Sequence, residues 1–511
     1  MKIFIFLIFP LILLAQDNYE FGQSIIVNDD PPGTSFHSTS SAGQHLIGCV
    51  GDTVYLVWSD ERTDPRAIYF SRSTDAGNTW STNLRLSSSN PDLEGATPGL
   101  TLDAQGTIYV CYGQYDWSTF NVDVYFTRST DGGESFSTPL LVNDTTRAAQ
   151  DMPSITVDSS GEKVFVAWQD TRNSGVTPNF DIYMSKSTDG GLSFLPSVRV
   201  DDTGVVDTSD QQSPSIGCTR SGDTVYVAWQ DERNRNGADN FDVYFSRSVD
   251  AGMTFEPDVL VNDTVGTNQS TQGSPSLWIS KSGNISIVWR DNRFGPYQVY
   301  FAKSIDGGQS FLGHKRVTDT LDSGGIPPSI CSRNDSLIYV VWKDARTYSQ
   351  TGDDIYFSFS TDSGDSFSAN VMVNDTLVME DAWQWCPTIC VNESGEVFVA
   401  WEDGRNHPLN PDVYFAAGQY VGISEYNGKN QTSTFIQLFP NPFHHVLTIK
   451  CEGNDIDKVE LFDVLGRRVR HIDINNKGLI KLDVRDLSTG IYFIKVEAGE
   501  KSLIKKIIKV R

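Results

Sequence analysis

Positive charge is scarce in this chain of 511 residues. Against 40 Lys and Arg stand 65 Asp and Glu, a formal net charge of -25. That balance excludes nucleic acid and anionic lipid as main partners, because both need a basic face. Methionine is rare, at 6 residues, while aromatic residues make up 11% of the chain and hydrophobic residues 39%. Such a composition can bury a core, so wholesale disorder is excluded despite the acidity. Apart from the N-terminus, no apolar run is long enough to span a bilayer, and no transmembrane segment is expected in the mature chain. The aromatic excess and 42 Gly lean towards β structure.

The N-terminus pairs one positive charge, Lys2, with an apolar run from Ile3 to Leu14. Residues 1–16 read as a signal peptide, so the mature protein is expected outside the cell or on its surface. Seven Cys are present, an odd number, which leaves at least one unpaired in an exported chain. Cys49, Cys218, Cys331 and Cys390 fall in short apolar strands and read as small buried hydrophobes. Cys386 and Cys390 lack the second pair that a zinc site needs.

What is present is repetition. The string Ser-x-Asp-x-Gly-x-(Ser/Thr)-aromatic occurs six times, centred on Asp75, Asp131, Asp189, Asp250, Asp306 and Asp362, at separations of 56, 58, 61, 56 and 56. A second motif, Trp-x-Asp-x-Arg, starts at Trp58, Trp168, Trp229, Trp289, Trp342 and Trp401. The second unit replaces it with Tyr112, Gln114, Tyr115, Asp116 and Trp117, which makes seven units against six boxes. Each unit parses into four strands. Val225, Val227 and Trp229 alternate with Tyr226, Ala228 and Gln230, a period of two. Four-stranded units at this spacing predict a β-propeller. The seventh unit stops after three strands, and Gln23–Asp30 supplies a matching fourth. The expected fold is all-β: a seven-bladed propeller whose N-terminal strand closes the last blade, followed by a small Ig-like β-sandwich.

The six boxes resemble the Asp-box, or bacterial neuraminidase repeat. Residues 22–418 therefore resemble the sialidase-like propeller superfamily. The resemblance implies a structural role for the boxes, on the face away from an active site. Two departures stand against a sialidase. Family sialidases typically have six blades, and their Arg-Ile-Pro motif has no counterpart here: no Lys or Arg lies between Ile3 and Glu61. The repeated Arg62, Arg172, Arg233, Arg293, Arg346 and Arg405 are expected to pair within their own blades. Their partners would be the motif Asp or the Asp opening the third strand.

Positions that break the repeat are the ligand candidates. They are Tyr115, Asp116 and Trp117 in unit two, and Glu380, Asp381, Trp383 and Trp385 before unit seven. Flat aromatics beside carboxylates suit sugar rings, and paired acids suit glycoside hydrolysis. The competing reading packs Trp383 and Trp385 between blades. His407 reads as a surface residue. Asp201, Asp202, Asp207 and Asp210 make an oxygen-rich loop that could hold calcium. No EF-hand spacing supports it, and no cofactor or metal is expected.

Composition changes after Tyr420. Residues 419–435 read as a polar linker, and residues 436–511 carry 14 basic and 10 acidic residues in short alternating strands with turns at Gly466 and Gly490. This stretch resembles the type A C-terminal sorting domain of type IX secretion. The match rests on Pro440-Asn441-Pro442, the Asp463–Gly466 turn, Gly490-Ile491-Tyr492 and the basic Lys505–Lys509 end. The resemblance implies the type IX machinery as a partner. The leading expectation is recognition of an extracellular ligand, a glycan, by the face opposite the boxes. The alternatives are an exo-sialidase-like glycoside hydrolase and a structural or adhesive surface protein.

Overall fold

A computed structural model of the chain describes residues 18–39, 44–145, 148–174, 179–204, 208–235, 240–263, 270–321, 324, 327–348, 352–375, 382–421, 436–439, 445–463, 467–488, 490–498 and 501–509. The expected signal peptide lies outside them. Every element described is a strand. The chain divides into two compact units, one spanning Glu20–Gln419 and the other holding the C-terminal strands.

The larger unit holds seven antiparallel sheets in sequence order. The fourth is representative: Gln211–Cys218, Val225–Asp231, Asp242–Ser248 and the two-residue strand Val259–Leu260. Its second strand is buried on both faces, with Trp229 fully enclosed. Neighbouring sheets cover both faces, so residues on each side of the period of two are apolar. The first strands of the seven sheets touch in cyclic order. Ile47–Val50, Leu93–Leu102, Gln150–Val157, Gln211–Cys218, Gln272–Ile279, Ser329–Ser332 and Gln384–Val391 each meet the next, and the last meets the first.

Each box is a turn that reaches the preceding sheet. Within it, Ser129 Oγ donates to Asp131 Oδ1 at 2.7 Å, and Asp131 accepts both the Ser135 N–H (3.0 Å) and its hydroxyl (2.6 Å). Gly133 takes φ +87°, and a Cβ there would sit 2.6 Å from the Phe70 ring of the first sheet. Only glycine fits that approach. The closing aromatic Phe136 meets the same Phe70 edge-on at 4.9 Å. The pattern repeats as Phe194 on Phe126, Phe311 on Phe245 and Phe367 on Phe301. Trp80 of the first box meets Phe415 of the seventh sheet at 5.2 Å.

The seventh unit has no box, and the N-terminal segment takes its place. Ile25 and Ile26 pair with Phe415 and Tyr414, and Val27 N–H donates to Val413 O at 2.8 Å. Phe21 lies edge-on against Phe357 at 5.3 Å, the position that a seventh box aromatic would hold.

A buried histidine fastens this closure. His37 is fully enclosed; its Nδ1 lies 2.8 Å from Pro411 O, and its Nε2 lies 2.9 Å from Asp30 and 3.3 Å from Asp60. Nδ1 must carry a proton to reach the carbonyl, and Nε2 faces two carboxylates, so the ring is held as a cation. Burial opposes that charge, but the hydrogen bond that His37 donates to Asp30 and the field of Asp60 outweigh it and raise the His37 pKa above 6.5.

The C-terminal strands Ile436–Phe439, Val446–Asp463, Arg468–Asp483, Gly490–Ala498 and Lys501–Lys509 form one connected five-stranded sheet. Its core holds Leu447, Ile449, Ile456, Val459, Leu461 and Ile494. Gly490 opens a strand, so it is not the turn that its sequence setting suggests. Pro440-Asn441-Pro442 and Gly466 lie outside the described residues.

His37→Gln tests the closure. A raised histidine pKa gives stability that is complete below pH 6.5 and lost as pH rises through the folded value. Calorimetry should show the variant weaker by on the order of 1–3 kcal/mol at pH 6, with the gap shrinking towards pH 9. A gap that is constant with pH would show that the ring is neutral.

Candidate functional site

The loops at the ends of the second strands share one framework. Each motif Asp is fully buried and accepts from three donors. In the third sheet, Trp168 Nε1 donates to Asp170 Oδ2 at 2.8 Å, Arg172 N–H to Oδ1 at 2.8 Å and Arg172 Nη2 to Oδ2 at 2.7 Å. The guanidinium lies 4.0 Å from the centre of the Tyr183 ring on the third strand. The same set recurs at Asp60, Asp231, Asp291, Asp344 and Asp403.

The second partner of each Arg lies across the sheet boundary. Arg172 reaches Asp144 at 2.9 Å, Arg233 reaches Asp202 at 2.9 Å, Arg293 reaches Asp263 at 2.7 Å, Arg346 reaches Asp319 at 2.7 Å and Arg405 reaches Asp375 at 2.9 Å. Arg62 pairs with Asp29 in the same way. Purely intra-blade pairing is thus corrected. The Asp opening the third strand is held mainly by other side chains: Asn143 on Asp123, Asn262 on Asp242, Asn374 on Asp354, Asn28 on Asp412, and Arg199 on Asp181. These arginines are engaged within the protein, each in at least two ion pairs; Arg62 also pairs with Asp30, and Arg233 with Asp258.

Unit two lacks both halves of the device. Asp116 stands where the Arg would be, and Ser88 stands where the preceding unit would place its Asp. Removing both charges together avoids an uncompensated buried ion. Arg66 instead pairs with Glu94, which also accepts Trp117 Nε1 at 3.2 Å. Trp117 is half exposed and meets Tyr115 edge-on at 4.6 Å, beside exposed Phe120. Asp116 is occupied locally by the Ser118 N–H (2.8 Å) and hydroxyl (2.6 Å).

The other candidate group stands on the seventh sheet. Trp383 is half-buried, packs on Gly404 with 3.2 Å to a virtual Cβ, and donates through Nε1 to Pro408 O at 2.8 Å. Trp385 is 45% exposed, and its Nε1 is fixed by Asp353 at 2.8 Å. Lys343 Nζ lies 5.3 Å from its ring centre and 3.2 Å from the same Asp353. The two indoles meet edge-on at 5.4 Å. Packing therefore describes Trp383, while Trp385 presents a braced, open face. Glu380 and Asp381 lie outside the described residues. Among the described residues no contact joins the Trp383–Trp385 pair to Tyr115 and Trp117.

Sequence reasoning missed the residue between Trp and Asp in each motif. It alternates away from its neighbours and is one of the two positions of the motif that vary: Ser59, Gly113, Gln169, Gln230, Arg290, Lys343 and Glu402. The facing first strands carry a register shift with positive φ at Thr97, Met152, Ser213, Ser274 and Cys386, each followed by proline. Bulges of this kind re-aim side chains. Gln169 accepts the Ser213 N–H at 3.1 Å and Gln230 the Ser274 N–H at 3.0 Å, so each braces the next bulge. Arg290 breaks that rule. Its guanidinium lies 5.1 Å from the Tyr297 ring centre, and its Nε is buried without a partner among the described residues. Variation within the strand, at the first of the motif's two open positions, was the signal available.

His407 and the acidic loop make local contacts. His407 Nδ1 accepts the Leu409 N–H at 3.2 Å. Asp201 is held by Arg199, and Asp202 by Arg233, while Asp210 accepts the Phe180 N–H at 2.9 Å; Asp207 lies outside the described residues.

Residues 437–510 match the secretion system C-terminal sorting domain family. That domain directs type IX secretion, so the chain is addressed to the cell surface or the extracellular space. No curated protein sequence matches the chain. Solved structures similar to it include an alpha-L-arabinofuranosidase of Fusarium graminearum, with 14% identity, 63% of this chain and 92% of that chain covered, and a TM-score of 0.46. Polysaccharide lyase Uly1 matches at 10% identity over 73% and 89%, with a TM-score of 0.47. The Hadza microbial sialidase Hz136 matches at 14% identity over 73% and 74%, with a TM-score of 0.41.

One framework position carries a titration. Asp258 and Asp202 exchange backbone N–H bonds at 3.0 and 3.1 Å, as Asn83 and Asp29 do in the first sheet at 2.8 and 2.9 Å. The Asn83 amide also donates to Val27 O at 3.2 Å, whereas Asp258 pairs through Oδ2 with Arg233 at 2.6 Å and its Oδ1 is buried without a partner among the described residues. Burial first, and the Asp202 carboxyl second, push the Asp258 pKa up to about 8. The native state then holds a proton that the unfolded chain releases, so this group costs stability increasingly from pH 4 to pH 8. Asp258→Asn supplies the missing donor without the titration. Its melting temperature should exceed that of the parent at pH 8, by on the order of 1–3 kcal/mol of stability, and the gain should fade towards pH 4. A variant less stable than the parent at pH 8 would refute the assignment.

Proposed function

We propose that the chain is an exported, seven-bladed sialidase-like propeller, residues 22–418, that binds an extracellular glycan. In this reading residues 1–16 are a signal peptide, 419–435 a linker and 436–511 an Ig-like sorting sandwich. Seven sheets whose first strands meet in cyclic order support the blade count. The observation that carries the binding reading is Trp385. It is an exposed indole immobilised by Asp353, with a lysine against its ring. A fixed, open aromatic face can stack on the C–H face of a sugar without losing side-chain freedom, and neighbouring polar groups can take the hydroxyls. The acidic body of the protein favours a neutral ligand over an anionic one.

The test uses the full-length exported protein on a glycan array, with Trp385→Ala and Trp117→Ala alongside. We expect Trp385→Ala to weaken retention about tenfold or more, the loss of an aromatic anchor, with little change in melting temperature. Trp117→Ala, on a separate sheet, should have the smaller effect. Equal retention of the Trp385→Ala variant and the parent would remove this site. Release of sugar from a fluorogenic sialoside or a polysaccharide panel would replace binding with glycoside hydrolysis.

A further inference from the structure

Three thiols gather where the ring closes. Cys49 lies on the first strand of the first sheet, Cys331 on that of the sixth and Cys390 on that of the seventh. Cys331 and Cys390 are buried, and Cys49 is partly exposed. Cys390 belongs to the core cluster of the first and seventh sheets, and Cys49 packs against that same cluster. Two hydrogen bonds fix how the strands lie. Leu46 N–H donates to Thr388 Oγ1 at 3.2 Å, and the Asn392 amide donates to Gly51 O at 3.3 Å. Carried along the strands, the first bond sets Gly48 level with Cys390 and the second sets Cys49 level with it. Cys390 lies two residues beyond Thr388 in one strand, so it shares the face that meets the first sheet. A Cβ on Gly48 would meet Leu100 and Leu102 of the second sheet, so Cys49, next along the strand, faces the other way, towards the seventh.

We infer that Cys49 and Cys390 are a cross-linking site, joined by a disulfide in the exported protein. The bond staples the first sheet to the last on the inner side of the closure, opposite in kind to the polar clasp at His37. The compartment permits it, because a type IX cargo matures outside the reducing cytosol. The chemistry needs an external oxidant, a protein or small-molecule disulfide. The thiolate of Cys49, the more accessible of the two, attacks one sulfur of that disulfide and expels the other as a thiolate. The Cys390 thiolate then attacks the mixed disulfide at the Cys49 sulfur and releases the second carrier thiol. Two protons leave the cysteines, and two electrons reduce the carrier. Burial, and then the Cys49 thiol, push the Cys390 pKa far above the usual thiol value in the folded protein. Cys390 therefore reacts during folding, before the sheets close over it. Cys331 is the third thiol, and stays reduced.

Peptide mapping of the full-length protein, secreted and purified without reductant, decides the matter. After denaturation, alkylation of free thiols and digestion, mass spectrometry should find the Cys49 and Cys390 peptides linked, and separated by reductant. Cys331 should be found alkylated. Reductant should lower the melting temperature of the parent by several degrees and leave that of Cys49→Ser unchanged. Alkylated Cys49 and Cys390 in unreduced protein, or a link from Cys390 to Cys331, would overturn the assignment. The map of the parent protein stands whether or not the serine variant folds.

Discussion

The fully buried carboxylate at the end of six of the seven second strands is the constraint from which the larger unit is built. An aspartate with no exposure to water is tolerable only with a full set of donors, including a positive charge. The indole two residues back and the guanidinium two residues on supply them. That arginine then has its remaining N–H groups pointing off the edge of its own sheet. It finds the aspartate that ends the preceding unit. A requirement local to five residues thus becomes a bond between sheets, and repetition turns it into a ring. The boxes do the same at the other end of the sheets with aromatic rings.

This explains the division of labour between positions. Residues that serve the framework recur because the same strain must be relieved at each boundary. Residues between them are free of that demand. The Gln169 and Gln230 side chains still brace the next sheet, but Arg290 turns to Tyr297, and Lys343 faces Trp385 on the bulge of the seventh sheet. Where the framework itself lapses, at Ser88 and Asp116, a different ion pair and two exposed aromatics fill the seam.

How much of this was legible in the sequence follows from the range of each interaction. Strand periodicity, the box turns and the Trp-x-Asp hydrogen bond involve residues close in the chain, and each leaves a spacing that can be counted. The pairing of Ile25 and Ile26 with Phe415 and Tyr414 was readable because the seventh unit was one strand short. The second partner of each arginine was not, since it belongs to the previous unit and depends on how sheets stack. Nor was the contrast between Trp383 and Trp385. Two indoles at i and i+2 look alike in sequence, and only Gly404 beside one and Asp353 beside the other separates packing from exposure. Gly490 misled for a related reason: glycine marks a special backbone position without saying whether a turn or a strand begins there.

The N-terminal strand has a consequence for the order of events. Its partner residues, 413–417, come almost at the end of the larger unit. A chain emerging N-terminus first can assemble its sheets one against another, yet the two outermost surfaces of the row stay bare. Only when the last unit has followed can they meet. Closure is thus deferred until nearly the whole unit is available.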